Sequence, residues 1–537
     1  MKKRVLLSSV YKPFGVDTAD ARKESKIELF HNQLTRNQGI YSPRFFLFSF
    51  GLHAIANNLD DTPVTVLDFP TLNRFRREVR KGYDIVGIGA IVPNFLKVKT
   101  MVAAVRELSP RSKVVIGGFC AAIPDLEKML DVDGVCVGEG IGYMRRLLGL
   151  PADFTFRNPD AVSQLREVMG IPLRRPGSPH IVVGLGCSYG CDFCCPSHFF
   201  GKRHIRFFQS GEALFREIEK VAERHHTRAV SLIGDDNFFL DLDRAEALRR
   251  CMVRCGRVYR LFVFGSADRV AAFGAEKLAE MGVNLVWIGR ESLFSAYPKN
   301  RGQNIKALVA DLAAYGIKVI LSSILLVDGH TRENIEADIS DHLACRPTFS
   351  QFAFYSPLPG TPLFDRMKAA GRILTAIPYE EWHAFKQPWF VHPEFDLIAA
   401  EKIQQQAYDS DFYALGPSLM RYIRTDFQGW RFLKDAPQAH LAARAVDIAG
   451  NMRAYRVLLL AMRRLLPRPA MRQSAAELLA DIESAFGPAT AFEKTAAIGV
   501  RLFGRFREFR TRLAGDALQP PTRIDYYGPR QHSTARF

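Results

Sequence analysis

The chain has 537 residues, 47% hydrophobic and 24% charged, with a net charge of +17, ordinary values for a large globular protein of about three domains. Its longest apolar stretches, Ile317–Val327 and Val457–Met462, are too short or too interrupted to span a bilayer. The basic start, Met1-Lys-Lys-Arg-Val-Leu-Leu, has no cleavable apolar segment and reads as a first strand rather than a signal peptide.

From residue 1 to 150, short apolar runs alternate with helical patterns. Val5–Ser9, Val64–Phe69, Ile85–Ile91, Lys113–Gly117 and Gly134–Val137 read as buried strands, with helices such as Val98–Glu107 and Pro124–Leu130 between them. The alternation predicts an α/β, Rossmann-like (flavodoxin-like) domain with a parallel, doubly wound sheet. Ligands of such sheets bind beyond the carboxyl ends of the strands. The turn residues there are Ser8 and Ser9, Val92 and Pro93, Gly117 and Gly118, and Gly138, Glu139 and Gly140. Paired glycines let the backbone approach a ligand closely. No G-x-G-x-x-G follows the first strand, which argues against a dinucleotide. Residues 151–178, with Pro151, Pro159, Pro172, Arg174, Arg175 and Pro176, read as a linker.

Residues 179–395 resume the alternation. Strands are predicted at His180–Leu185, Ala229–Ile233, Leu261–Gly265, Leu285–Ile288, Val319–Leu326 and Gln351–Tyr355, with amphipathic helices between them such as Gly211–Arg224. The first strand runs into Cys187-Ser-Tyr-Gly-Cys191-Asp-Phe-Cys194. Cysteine is scarce at 9 residues in 537, so C-x3-C-x2-C is poorly explained by chance. Three thiolates this close, with Gly186 and Gly190 freeing the backbone, can wrap one inorganic centre. Zinc would need a fourth ligand; Cys195 is badly placed beside Cys194, which leaves His198 as the candidate. An iron–sulfur cluster on three thiolates is the stronger reading, because it leaves one iron open to a small molecule.

The motif, with Phe193 just before its last cysteine, resembles that of the radical S-adenosylmethionine (SAM) superfamily. The resemblance implies a partial (β/α)6 barrel and a [4Fe-4S] cluster on Cys187, Cys191 and Cys194, whose open iron chelates the amino and carboxylate groups of SAM. One electron, from an external reductant of the flavodoxin or ferredoxin type, then cleaves the sulfonium and releases a 5′-deoxyadenosyl radical that no side chain could generate.

The same resemblance assigns roles at the strand ends, where barrels of this kind concentrate their chemistry. Gly234, Asp235 and Asp236 resemble the segment that binds the amino group of SAM. Ile288-Gly-Arg-Glu291-Ser292 resembles the family's I-G-x-E-S, whose polar groups reach the ribose or carboxylate. Arg290 departs from the smaller residue usual there, and either brings positive charge to the reacting groups or points into solvent. Ser322 and Ser323 are candidates for the ribose hydroxyls, and strand alternation lets only one face inward; Ser323 is the expected one. Pro357-Leu-Pro-Gly-Thr-Pro362 resembles the segment that closes the barrel around adenine.

Directly before such a barrel, residues 1–150 resemble a cobalamin-binding domain, carried by Tyr83–Gly89, Val114–Gly118 and Val132–Gly140. Only His31 and His53 precede the linker, and neither sits in a D-x-H-x-x-G loop, so the resemblance implies cobalamin without a histidine on cobalt. A degenerate Rossmann-like domain kept for packing is the alternative.

Residues 396–537 read as a helical region, with candidates at Tyr408–Leu415, Leu419–Ile423, Leu441–Leu466, Ala475–Phe486 and Ala489–Leu513. From Glu401 onward there are 21 Lys and Arg against 13 Asp and Glu. Leu502, Phe506, Phe509 and Leu513 share one helical face, with Arg501, Arg505 and Arg512 around it. That face either packs on the barrel or lies on an anionic membrane surface.

The combination implies a cobalamin-dependent C-methyltransferase acting at an unactivated carbon of a hydrophobic or natural-product-like small molecule. Oxidative cyclisation or carbon–carbon coupling without methyl transfer are the alternatives. The charge also raises tRNA modification. Methylthiotransferases on tRNA, however, carry three further cluster cysteines in the first domain, where this chain has only Cys120 and Cys136. Cysteines clustered in one motif suit a cytoplasmic setting.

Overall fold

The computed structural model describes residues 2–15, 31–173, 177–515 and 518–528, so Arg174, Arg175 and Pro176 of the expected linker lie outside the described residues. In the first sheet, β1 (Val5–Ser9), β2 (Val64–Asp68), β3 (Ile85–Gly89), β4 (Lys113–Gly117) and β5 (Gly134–Val135) run parallel in the order β2-β1-β3-β4-β5. This is the flavodoxin-like order. The strands are mostly apolar and buried because both faces are covered. Val5, Leu7 and Val66 pack towards the helix Phe50–Asn57, whereas Leu6, Val86 and Val114 pack towards Leu72–Val79 and Phe95–Leu108.

The second sheet holds six parallel strands in sequential order: β6 (Ser178–Val182), β7 (Ala229–Ile233), β8 (Arg260–Phe264), β9 (Val283–Glu291), β10 (Lys318–Leu325) and β11 (Phe349–Phe354). Along β8 and β9 the side chains alternate. Leu261, Val263, Val286 and Ile288 are buried against the helix layer, while Phe262, Phe264 and Trp287 are half-buried and face the lumen. An uncovered edge at β11 would invite pairing with other chains. The helix Leu397–Leu415 covers it: Gln404 Nε2 donates to the Phe352 carbonyl at 2.8 Å, and the Phe352 N–H donates to the Tyr408 hydroxyl at 3.2 Å.

The opposite edge departs from the expected segmentation. Val162–Val168 pairs antiparallel with β6, and Arg44–Phe46 pairs antiparallel with Val162–Val168. The expected linker is therefore partly strand, and a piece of the first 150 residues completes the barrel sheet. At the amino end of the lumen, Lys318 is buried against Asp426, and Arg444 Nη2 donates to the Val283 carbonyl at 2.8 Å. The helices Ser418–Leu433 and Ala439–Ala449 thus seal that end.

Helices dominate the remainder: Met452–Leu465, Pro469–Phe486 and Ala491–Ala514 follow, and the expected Leu441–Leu466 is broken at Gly450-Asn451. The region is not purely helical. A strand β12 (Arg523–Tyr527) returns to the first sheet and pairs antiparallel with β2, Arg523 opposite Asp68. Among the described residues no helix is long and apolar enough to cross a membrane.

Candidate active site

The cysteine loop follows β6 and is pinned by its own polar contacts. The Gly186 N–H donates to Asp236 at 3.0 Å, the Ser197 hydroxyl donates to the Cys187 carbonyl at 2.7 Å, and the Cys194 N–H donates to the Cys191 carbonyl at 3.0 Å. Burial pushes all three thiols up, Cys194 to about 12, while one ammonium, Lys299, pulls each back towards the thiolate. Lys299 is held by Glu291 and lies over the Phe193 ring at 5.8 Å. Three thiols sharing one cation, on a loop with Gly186 and Gly190 at φ 75° and 69°, fit a cluster of negative net charge. His198, the candidate fourth ligand for zinc, donates instead from Nε2 to the Cys191 carbonyl at 3.1 Å. Cys195 is buried in the first turn of the helix Cys195–Phe199.

β7 ends at Gly234, φ 81°, where a Cβ would lie 2.6 Å from the Gly184 carbonyl oxygen, so this crossing needs glycine. Beyond it the two acids part company. Asp235 is buried between Arg244 Nη2 at 2.7 Å and His204 Nε2 at 2.9 Å. Burial opposes its ionisation, but the His204 bond and the Arg244 charge outweigh it and hold the carboxyl below its usual range. That engagement takes Asp235 out of the expected cation site. Asp236 is the carboxylate left facing the lumen, exposed there although protein encloses the lumen around it. Enclosure, with the neighbouring Asp235 charge, pushes its carboxyl up to about 7.

β9 ends in a bulge: its register with β10 jumps from Gly289–Ser322 to Glu291–Ser323. Bulges of this kind re-aim side chains beside active sites. Glu291 takes φ 63°, a left-handed conformation that costs a non-glycine residue about 1–3 kcal/mol and tends to mark functional positions. Arg290 fulfils neither expectation. It is buried in the helix layer, where Nη2 donates to Asp338 at 2.8 Å and to Asp341 at 2.6 Å, and Nη1 donates to Ser323 Oγ at 3.0 Å. Ser323 is thereby corrected as well. Its hydroxyl accepts from Arg290 and donates to His342 Nδ1 at 2.7 Å, away from the lumen. Burial and the Arg290 charge keep His342 neutral, its pKa well below the usual value. The inward serine is Ser322, bonded to Trp287 Nε1 at 2.6 Å and Gln351 at 2.7 Å. Ser292 is buried, its hydroxyl 3.1 Å from His330 Nε2.

The carboxyl ends of the first sheet meet this loop. Phe119 and Phe199 contact edge to face at 5.1 Å, and a Cβ on Gly138 would lie 3.6 Å from the Phe199 carbonyl oxygen. Gly117 and Gly138 are half-buried and Gly118 and Val137 exposed, an open rim of small residues. A Cβ on Gly118, φ 74°, would strike the Ala90 carbonyl oxygen at 2.4 Å. Other expected rim residues are withdrawn. Ser8 is buried with its hydroxyl donating to backbone carbonyls of Ser9 and Leu67, and Ser9 Oγ accepts from the Phe69 N–H at 2.7 Å. Val92 and Pro93 are buried, Val92 in the core that also contains Trp382 and Trp389. Glu139 caps the helix Gly140–Leu148 by accepting from the Ile141 and Gly142 N–H groups, and Gly140 makes room for Ile55. Pro357 is buried, its carbonyl accepting from Trp389 Nε1 at 3.1 Å, and a Cβ on Gly360 would come within 3.3 Å of Ala122. The Pro357–Pro362 segment therefore bears on the first domain. His53 is fully buried, Nδ1 lying 2.9 Å from the Tyr527 hydroxyl.

Between the cysteine loop and the loops after β9 to β11 lies a cavity of about 370 Å³ beside Cys191 and Tyr297. On its wall Asp192 accepts from the Tyr297 and Tyr355 hydroxyls at 2.9 and 3.0 Å and from Arg366 at 2.8 Å. Sequence reasoning missed Lys299, which carries no motif. It also missed the stack of Phe264 on Trp287, 5.4 Å between centroids, although the two-residue period of both strands signals that face.

Residues 181–341 match the model of the Radical SAM superfamily. The chain is 26% identical over 373 residues to an uncharacterized methyltransferase of Pyrococcus horikoshii, covering 62% of this chain and 78% of the relative. It is also 26% identical over 241 residues to the bacteriochlorophyllide d C-12(1)-methyltransferase of Chlorobaculum tepidum, covering 42% of this chain and 51% of the relative. Among solved structures it is similar to TsrM of Kitasatospora setae, a radical SAM methyltransferase. The form with cobalamin and a [4Fe-4S] cluster bound gives a TM-score of 0.52 at 16% identity, covering 84% of this chain and 100% of that one. The form with tryptophan substrate and a SAM analogue bound gives 0.51 at 17% identity, covering 77% and 89%. At that identity the likeness is one of fold. With its three-cysteine loop at the head of a six-stranded barrel and a flavodoxin-like sheet facing that loop, the chain carries a Radical SAM domain over residues 181–341 and shares its fold with a radical SAM methyltransferase solved with cobalamin and a [4Fe-4S] cluster bound.

Proposed function

We propose that the chain is a cobalamin-dependent C-methyltransferase acting at an unactivated carbon of a hydrophobic, planar small molecule. The observation that carries this reading is the meeting of the two sheets' carboxyl ends, with the cysteine loop on one side and the glycine rim Gly117, Gly118 and Gly138 on the other. The methyltransferase names of the relatives support it. When bound, the cluster supplies the electron that cleaves SAM, drawn from a flavodoxin- or ferredoxin-type reductant, and the corrin carries the methyl group.

The side chains fit those groups. Cys187, Cys191 and Cys194 hold the cluster. Asp236 complements the amino group of SAM and Lys299, steadied by Glu291, its carboxylate. Phe193, packed edge to face on Tyr297 at 5.0 Å, shields the cavity from water. The lumen wall of Phe262, Phe264 and Trp287 suits a flat apolar substrate.

Two measurements test this. A methyltransferase of this kind would consume two SAM molecules per turnover, one as the methyl donor and one as the source of the radical. Turnover should then yield S-adenosylhomocysteine and 5′-deoxyadenosine in about equal amounts. Deoxyadenosine formed on the substrate without S-adenosylhomocysteine would replace methyl transfer by oxidative cyclisation or coupling. Second, with His53 closed off in the core and the corrin taken up base-off, the Co(II) corrin on the protein should show no nitrogen superhyperfine splitting in its electron paramagnetic resonance spectrum. A nitrogen triplet, or a pure protein that takes up no corrin, contradicts the assignment.

A further inference from the structure

We infer that the helix Ala491–Ala514 seats the enzyme on an anionic lipid bilayer, lying in the plane of its surface. The helix is 24 residues long, about 36 Å. It is apolar on two opposite faces, and only one has a partner. Ala497, Val500 and Gly504 are buried, Val500 in the core of the helical region, while a Cβ on Gly504 would lie 3.1 Å from Ile40 of the first 150 residues and 3.6 Å from Leu465. The opposite face carries Ile498, Leu502, Phe506, Phe509 and Leu513, spaced by four or three residues so that they form one line. Leu502 is 60% exposed, Phe506 58%, Phe509 60% and Leu513 72%, so the packing alternative raised by the sequence does not hold for this face. Phe492 and Phe503 widen the line and are exposed as well.

The orientation is fixed rather than loose. Thr490 and Glu493 form a reciprocal cap at the start of the helix, Glu493 accepts from Arg456 at 2.7 Å, and Arg507 donates to Glu167 at 3.1 Å further along. These bonds lie on the buried side and hold the apolar line outward as a convex ridge.

The flanks identify the occupant. Arg501, Arg505 and Arg512 border the line on one side and Arg510 on the other, and the whole chain is positively charged at +17. Phenylalanine and leucine entering the acyl boundary, with arginines at headgroup level, match an anionic bilayer in both shape and charge. A second copy of the chain fits poorly, because face-to-face pairing would set arginine against arginine.

The test is flotation of the full-length, cluster-reconstituted protein with vesicles of phosphatidylcholine alone or mixed with phosphatidylglycerol. The protein should float with the mixed vesicles and stay behind with the neutral ones. Arg505→Glu with Arg512→Glu should weaken partitioning roughly tenfold or more, given the contribution of each basic residue near a charged surface. Phe506→Ser with Phe509→Ser should abolish it. Both variants should keep the cluster's visible absorption, since they alter only exposed side chains. Failure to float with mixed vesicles, or flotation unchanged in both double variants, overturns the inference. So does a concentration-dependent dimer that Phe506→Ser with Phe509→Ser dissolves.

Discussion

Replacing Cys191 by alanine should abolish the visible charge-transfer absorption of the reconstituted protein and take deoxyadenosine formation to background. Cys187→Ala and Cys194→Ala should do the same. The three thiols lie on one glycine-freed loop and share Lys299 as their cation, so losing any one leaves a cluster with too few protein ligands. Cys195→Ala is the control. Its thiol is buried at the start of a helix and pushed up to about 12 by that burial and by Cys194, so it contributes little thiolate. Both signals should survive that change. Iron retained in Cys191→Ala protein, with SAM cleavage unchanged, would sink the assignment.

Arg290→Met should destabilise the fold by about 3–5 kcal/mol, the usual cost of stripping one partner from a buried ion pair. Asp338 is buried, and although burial alone would raise its carboxyl, His330 and Arg290 hold it at about 2. A depressed carboxylate stabilises the fold above its unfolded pKa, and that stability is lost as pH falls through the folded value. In the native protein the contribution is therefore constant across neutral pH. Without Arg290 the carboxyl rises, so the variant's deficit should narrow on acidification from pH 8 towards 5 as Asp338 takes up a proton. Denaturant unfolding under anaerobic conditions at both pH values measures it. A loss below about 1 kcal/mol would mean that Arg290 merely fills space. SAM cleavage should fall too, because Arg290 anchors the bulge that aims Glu291 at Lys299.

The strands of both sheets were legible because parallel strands covered on both faces leave near-continuous apolar runs, as in Val114–Gly117 and Leu261–Phe264. The cysteine spacing was legible because covalent neighbours need no fold to bring them together. What failed depended on a partner elsewhere in the chain. Whether Ser322 or Ser323 faces inward is a matter of parity, settled by the register that sets Ser322 opposite Gly289, two residues on from the lumen-facing Trp287. Asp235 and Asp236 are chemically alike in sequence, and Arg244 and His204 decide between them. Ser8 and Ser9 are the last residues of β1 and Val92 and Pro93 do follow a strand end, but neighbouring segments fold over them. No local signal announces that.

The pairing of β12 with β2 has a cost that falls during synthesis. His53, on the helix Phe50–Asn57 that packs beside β2, and Tyr527 of β12, whose side chains meet, are 474 residues apart in the chain. At about 5–20 residues per second a ribosome needs roughly 25 to 95 s to cover that distance. For that interval the emerging first domain shows a bare Val-Thr-Val-Leu-Asp strand edge, a template for pairing with any extended neighbour. The domain begun first is thus completed last, and its unpaired edge is exposed to neighbouring nascent chains until then.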